Sequence, residues 1–315
     1  MYEAKKISKT YITRKRENLF KMTEEKKVAL KDVDIKIEQG KVVSLLGING
    51  AGKTTLIKIM STLLEPTSGQ VIYEGKNAFS NTNIVKKNIN VITGGERNLF
   101  WRLSAYENLR YFGALYGLRG KELEIKIDGL LELVDLKDEK FTPVERYSKG
   151  MKQRLQIAKG LINDPKYLFL DEPTLGLDVQ IATEIRQYVS LLAKEQNKGI
   201  LLTSHYINEV QELSDYIYIL SGGEVMKKGT IDNVVSSFDV KYKYIIMGFC
   251  NYKIDETFSG FKFSINYFGN GKFELIITSK DQIFNTIMKK LIENNVVIES
   301  IEEKKPTLEE VLLLV

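Results

Sequence analysis

The stretch "SLLGINGAGKTTLIKIM", residues 44–60, decides how the rest of the chain is read. It holds G-x-x-x-x-G-K-T from Gly47 to Thr54, between a predicted strand ending at Gly47 and a helix predicted from Lys53. That strand–loop–helix context is what a phosphate-cradling P-loop requires. Gly47, Gly50 and Gly52 let the backbone wrap closely round phosphates, with amide groups turned inward as an anion nest. The helix adds its positive N-terminal end. Lys53 is placed to reach the β- and γ-phosphates, and Thr54 offers a hydroxyl to Mg²⁺.

A P-loop needs a second metal anchor and a residue to position the attacking water. The segment "KYLFLDEP", 166–173, supplies both. Asp171 ends a buried-type strand, where a carboxylate stands beside the metal, and Glu172 follows as a carboxylate able to polarise water. The sole histidine, His205, ends another predicted strand, "GILLTSH" (199–205). A parallel strand beside that of Asp171 aims it at the same crevice at the sheet's carboxyl edge, within reach of the γ-phosphate or Glu172.

Working outward, "KDVDIKIEQGKVVSLLG" (31–47) reads as two strands about a Glu-Gln-Gly turn. Residues 104–162 are mostly helical in pattern. Strand signals return at "KYLFLDEP", "GILLTSH" and "YIYILSGGEVMKKG", with a crossover helix in "VQIATEIRQYVSLLAKEQ". This alternation predicts an α/β fold around a largely parallel sheet. The charged segment 13–27, "TRKRENLFKMTEEKK", is expected to form a solvated loop or short helix. The texture changes after about residue 236, so a domain over 1–235 and a small α+β domain over 236–315 are expected. The second has a hairpin turning at Gly269-Asn270-Gly271 and a closing helix after Pro306.

Composition narrows the function classes. A net charge of +5, from 46 basic and 41 acidic side chains, is mild for a DNA-binding protein but suits an anionic ligand or a membrane-facing partner. One cysteine, Cys250, excludes an intramolecular disulfide framework and points to a reducing compartment. One histidine excludes a multi-histidine metal site, so a metal here is expected to be a hard ion held by oxygen. The charged N-terminus lacks a signal peptide's apolar core. No run approaches the roughly eighteen apolar residues of a membrane span.

"YSKGMKQR" (147–154), a basic stretch ahead of a helical run, has three readings on its own: a nucleic-acid patch, a solvated helix start or a phosphate element. Its neighbours decide. With "GINGAGKTT" as Walker A, "YLFLDEPT" as Walker B, "YSKGMKQR" as signature, "LGLD" as D-loop and "TSH" as switch histidine, the chain resembles the nucleotide-binding subunits of ABC transporters. Five motifs in the family's order cover roughly residues 8–235. The resemblance implies a P-loop NTPase fold of the ABC type: a parallel-sheet core, an antiparallel β subdomain and a helical subdomain.

It also implies ATP and Mg²⁺ as cofactors, with Asn49, Ala51 and Thr55 joining the P-loop contacts. ATP is sandwiched between one subunit's P-loop and the partner's signature, through Ser148 and Gly150. Ser148 stands where a helix begins, so that helix's N-terminus faces an anion across the interface. Tyr11, in "SKTY", matches the aromatic that stacks on adenine, and Asp178 the D-loop aspartate that communicates across the dimer. Glu96 falls where most members carry the Q-loop glutamine; the resemblance implies that it ligates or orients the metal there, as well as meeting the nucleotide. Lys149 departs from the usual glycine and Val179 from the proline often found after the D-loop aspartate.

The segment "RNLFWRLSAYENLRYF" (97–112) holds the only tryptophan among Phe and Arg residues. It suits either an interface anchor, where the family's permease coupling helix docks, or an aromatic helix packed into its own domain. The implied activity is ATP hydrolysis powering a separate integral-membrane permease, resembling the exporter branch for drugs, antibiotics, polysaccharides or ions. A second ATP-binding subunit, a homodimer in the simplest case, and residence at the cytoplasmic face of the membrane through that permease follow. Direct nucleic-acid binding is not expected. The alternative is a soluble ABC ATPase acting on ribosomes or nucleic acid. Against it stand a single P-loop and the lack of a long heptad insertion. The cargo and the role of the C-terminal domain are not encoded in these motifs.

Overall fold

A computed structural model describes residues 1–18, 21–94, 98–238, 242–305 and 307–312, with 14–18 and 21–23 as backbone alone. Two compact units emerge, Met1–Ile231 and Asp232–Val315, so the division falls slightly earlier than the change in sequence texture suggested.

In the first unit, β3 (Val42–Leu46), β6 (Ile89–Thr93), β7 (Tyr167–Asp171), β8 (Gly199–Thr203), β9 (Tyr216–Ser221) and β10 (Glu224–Gly229) form one sheet in the order β10-β9-β3-β8-β7-β6. All pairings are parallel except β9–β10, a hairpin turning at Gly222-Gly223. The central strands β3, β7, β8 and β9 carry near-continuous apolar runs because both faces of the sheet are buried there. On β7, Leu168 and Leu170 pack into one core, while Tyr167 and Phe169 pack into the other. On β8, Ile200 and Leu202 take the first side and Leu201 the second. The first core is roofed by α3 (Ala105–Leu115), α4 (Gly120–Leu133), α5 (Lys149–Gly160) and α6 (Val179–Lys194). Helix α3 starts where it does because Ser104 and Glu107 form a reciprocal capping box. Helix α7 (Ile207–Leu213) follows β8.

The second core lies against α1 (Lys53–Met60) and an antiparallel sheet ordered β2-β1-β4-β5. Its strands are β1 (Tyr2–Asn18), β2 (Lys21–Ile37), β4 (Ser68–Tyr73) and β5 (Lys76–Asn77). Here the structure departs from expectation. The described residues of segment 13–27 form neither loop nor helix: they continue β1 and β2 as a long antiparallel pair, with Thr13 opposite Glu25 and Arg14 opposite Glu24. Charge suggests a loop, but an antiparallel ribbon satisfies its backbone by cross-strand pairing whatever charge its residues carry. The short helix α2 (Thr82–Asn88) and edge strand β6 give little sequence signal, since "NIVKKNINVIT" mixes charge and apolar residues without a clear period.

The second unit begins with α8 (Ile231–Ser236), which straddles the division, and contains a four-stranded antiparallel sheet ordered β12-β13-β11-β14. Its strands are β11 (Tyr242–Phe249), β12 (Lys262–Tyr267), β13 (Lys272–Ser279) and β14 (Val297–Lys304). The β12–β13 connection turns at Gly269-Asn270-Gly271, with Asn270 and Gly271 at φ of 61° and 74°. Alternate residues Tyr244, Ile246, Phe273, Leu275 and Ile277 face Ile287 and Leu291 of α9 (Phe284–Glu293). The closing α10 spans Leu308–Leu312; Pro306 lies outside the described residues.

Candidate nucleotide site

The loop between β3 and α1 is shaped by two close approaches. A Cβ at Gly47 would stand 2.3 Å from the Leu220 carbonyl oxygen, and one at Gly52 would stand 2.6 Å from that of Ala29. Gly52 also has a φ of 109°, a left-handed value that disfavours side chains and opens α1 without a side-chain cap. The first amides of that helix are therefore left for a ligand to satisfy. Lys53 is buried, and its Nζ spans the loop, donating to the Gly47 oxygen at 2.6 Å and the Ile48 oxygen at 3.3 Å.

Beside the loop lies a cleft of about 250 Å³ whose lining includes Tyr11, Lys27, Asn49, Lys53, Thr54 and Glu172. Thr55 and Gly50 also line it, while Ala51 is buried just beneath. The Tyr11 hydroxyl lies 3.4 Å from Thr55 Oγ1, which ties the aromatic to the start of α1.

Parallel pairing of β7 with β8 sets Asp171 opposite Thr203. Thr203 Oγ1 donates to Asp171 Oδ1 at 2.6 Å, and Thr54 Oγ1 donates to Oδ2 at 3.3 Å. The Asp171 carboxylate is thus clamped between a hydroxyl from α1 and one from β8. These donors are hard oxygens, the chemistry Mg²⁺ selects, and Mg²⁺ is typically held by one or two carboxylates with substrate phosphates.

Glu172 leaves the strand with a φ of 52°, a left-handed conformation costing about 1–3 kcal/mol in a residue with a side chain. Its amide donates to the Thr203 carbonyl at 3.0 Å and to Thr203 Oγ1 at 3.2 Å. Those bonds hold the strained turn. The Glu172 carboxylate then meets His205, with Oε2 3.2 Å from Nδ1. The imidazole packs against the Tyr206 ring at a centroid distance of 4.1 Å. Edge strand β6 closes the other side: Gly94 donates its amide to the Asp171 carbonyl at 2.8 Å, and a Cβ there would stand 2.0 Å from the Glu172 oxygen.

A family model described as "ABC transporter" matches residues 30–175. The ABC transporter ATP-binding protein NatA of Bacillus subtilis is 41% identical over 209 residues, covering 66% of this chain and 85% of that protein. The chain belongs to the ABC transporter family. It is an ATP-binding subunit of that family, with an ABC ATPase domain. The daunorubicin resistance ATP-binding protein DrrA3 of Streptomyces coeruleorubidus is 38% identical over 208 residues, 66% of this chain and 65% of that protein. The fold agrees: the ATP binding subunit of an ABC transporter superposes with a TM-score of 0.63 at 28% identity, covering 76% of this chain and 93% of that one. The ATP-binding cassette MJ0796, solved as a dimer bound to ADP and phosphate, gives 0.62 at 28% identity, covering 73% and 98%.

The remaining ABC elements stand at helix starts. Ser148 caps α5, accepting from the Met151 amide at 3.2 Å, and Asp178 caps α6, accepting from the Ile181 amide at 2.9 Å. The two helices meet closely at Gly150, where a Cβ would lie 2.9 Å from Ile181 Cδ1. The glycine in the signature thus serves packing within this chain as well as any approach by a ligand. Two of the three basic residues of "YSKGMKQR" are engaged within the chain. Lys152 is buried with its Nζ 4.7 Å from the Trp101 ring centroid, and Arg154 pairs with Asp135 at 3.2 Å. Trp101 and Phe100 remain 47% and 44% exposed, although Phe100 packs edge-on to Tyr111 and stacks on Phe112. Glu96 lies outside the described residues.

Sequence reasoning missed Thr203, Gly94 and Lys27. Thr203 was visible as the first residue of "TSH", but its partner depends on strand register. Gly94 carries meaning only once β6 is known to flank β7.

Proposed function

We propose that this ABC subunit hydrolyses ATP and that hydrolysis drives export through a separate integral-membrane permease. The observation that carries the chemistry is the Glu172–His205 contact of 3.2 Å at the mouth of the cleft bearing Lys53, beside the doubly hydrogen-bonded Asp171. Tyr11 stacks on the adenine, and the amides around Asn49, Gly50, Ala51 and Gly52 cradle the phosphates. Lys53 swings its ammonium from the Gly47 carbonyl to the β- and γ-phosphates. Thr54 and Asp171 would hold Mg²⁺, which would supply neutralisation of the charge on the transferring phosphoryl group. Glu172 accepts a proton from the water that attacks the γ-phosphorus, and the bond to the β-phosphate oxygen breaks to leave ADP and phosphate. His205 keeps the Glu172 carboxylate in place.

Ser148, Gly150 and Asp178 act on the nucleotide of a second copy. Exposed apolar side chains beside these elements support such a closure, Ile48 in the P-loop at 68% and Val179 next to Asp178 at 83% exposure. Glu96 takes the Q-loop position. The transport path belongs to a partner that holds this subunit at the inner face of the membrane; no helix among the described residues is long and apolar enough to cross a membrane. The drug-resistance and bacitracin-transport names of relatives support export.

The test has two parts. Purified Glu172→Gln is expected to bind ATP normally and to lose at least about a hundredfold in turnover, as removal of a general base does; surviving turnover removes Glu172 from that role. The wild-type protein, tagged and extracted from membranes in mild detergent, is expected to bring down a multi-spanning protein in near-equal amount. Recovery with ribosomes or nucleic acid instead would overturn the transport reading.

A further inference from the structure

The β1–β2 hairpin puts a cation in the cleft that none of the family motifs contains. Lys27 on β2 lies directly opposite Tyr11 on β1, so in an antiparallel pair their side chains rise from the same face about 5 Å apart. Ala29, two residues on, shares that face, and all three line the cleft with the P-loop. Ala29 marks the phosphate end, since its carbonyl oxygen is the atom that crowds Gly52. Lys27 stands about 7 Å further along the strand, level with the aromatic. Its backbone therefore stands at the base end, and its side chain reaches from there toward Ala29 and the phosphate end, beside the segment of a nucleotide that carries the ribose and the first phosphate.

The side chain is exposed, and among the described residues no hydrogen bond or ion pair engages its ammonium. Its four-carbon stem lets the charge range over that segment. Regular pairing of Thr10, Tyr11 and Ile12 with Val28, Lys27 and Lys26 fixes the backbone beneath it.

We propose that Lys27 is a nucleotide-binding residue that recognises the negative charge of the first phosphate of an adenine nucleotide. This rests on the reading of the cleft as the ATP site. Lys27 contacts a part of the nucleotide that hydrolysis leaves unchanged, so it binds ATP and ADP alike. Removing it raises KM and leaves kcat in place, the signature of uniform binding. The contact is solvent-exposed, so it weakens as salt rises.

The experiment compares wild type, Lys27→Met, Lys27→Arg and Lys27→Glu in the full chain, titrating ATP, ADP and, by competition, adenosine at low and at 0.5 M salt. Lys27→Met keeps the apolar stem. It is expected to weaken ATP and ADP about three- to tenfold at low salt, with adenosine unchanged and the difference shrinking at high salt. Lys27→Arg is expected to restore binding, and Lys27→Glu to weaken it further. If ATP and ADP bind Lys27→Met within twofold of wild type, or if adenosine weakens as much as ATP does, the proposal is overturned while the nucleotide site stands. If the wild-type protein binds no adenine nucleotide, the reading of the cleft falls and the proposal with it.

Discussion

Thr203 makes no contact that a motif would predict, yet its hydroxyl touches both acidic residues of the site. Replacing it by valine keeps the shape and removes that one group. Two interactions go: donation to Asp171 Oδ1 at 2.6 Å and acceptance from the Glu172 amide at 3.2 Å. The amide is not orphaned, because the Thr203 carbonyl still receives it at 3.0 Å. The loss is therefore essentially one hydrogen bond to a charged group, worth about 1.5–3 kcal/mol. Taking about 2 kcal/mol, the thermal midpoint of the larger unit should fall by about 4–8 °C. Asp171 then keeps only the longer Thr54 contact at 3.3 Å. Turnover should drop by ten- to a hundredfold as the carboxylate loses its fixed orientation, roughly 1.4–2.7 kcal/mol in the barrier. ATP binding without Mg²⁺ should stay near wild type. Thr203→Ser separates hydroxyl from methyl: it keeps turnover while losing about 1 kcal/mol of buried contact. Calorimetry and steady-state ATPase assays read both variants. Wild-type turnover in Thr203→Val would refute the claim that this hydroxyl orients Asp171.

Gly94→Ala forces a Cβ to within 2.0 Å of the Glu172 oxygen, a backbone atom, so the β7 end must shift. Turnover should fall about tenfold with ATP affinity within threefold of wild type, as expected for a misplaced reacting group; unchanged turnover would show that the strand end yields harmlessly. Burial pushes the Lys159 ammonium down from 10.5 to about 8, although Phe112, with its ring centroid 5.2 Å away, returns part of that. The unfolded state then holds more protons between pH 8 and 10.5, so wild-type stability rises with pH across that window. Lys159→Met should accordingly be more stable at pH 7 by about 1–2 kcal/mol, the burial term of about 3 less the ring contact. Denaturation at pH 7 and 10 should find the advantage shrinking, and an advantage that grew with pH would reverse the argument.

How much of this was legible in sequence depended on whether a residue's role is local. Lys53, Thr54 and the P-loop glycines lie within eight residues, and their chemistry is set by a strand before and a helix after. Asp171 and Glu172 announce themselves at the end of an apolar run. Ser148 and Asp178 were readable as helix starts because capping is a local event. Thr203, Gly94 and Lys27 act through register, which relates residues 31, 78 and 16 positions away from their partners Glu172 and Tyr11. The hairpin was misread for the same reason. Its charged residues look like loop one at a time, and only cross-strand pairing makes them strand.

Register is also what makes the geometry of the candidate site secure. A slip of one residue between β7 and β8 would turn Asp171 to the opposite face and send Tyr167 and Phe169 to the helical side. Both exchanges are blocked, because the two faces of β7 carry different shapes. Tyr167 and Phe169 pack with Tyr2 and Tyr73 at centroid distances of 5.3–6.2 Å, while Leu168 and Leu170 sit in a core whose buried side chains are aliphatic but for Tyr147. Moving either aromatic into the aliphatic layer would overfill it and leave a cavity behind, a penalty of several kcal/mol. The aromatic cluster lies on residues remote from the nucleotide cleft. It nevertheless decides that Asp171 meets Thr203 and that Glu172 emerges beside His205. The site's precision therefore derives from packing in the sheet, and the motif residues only use it.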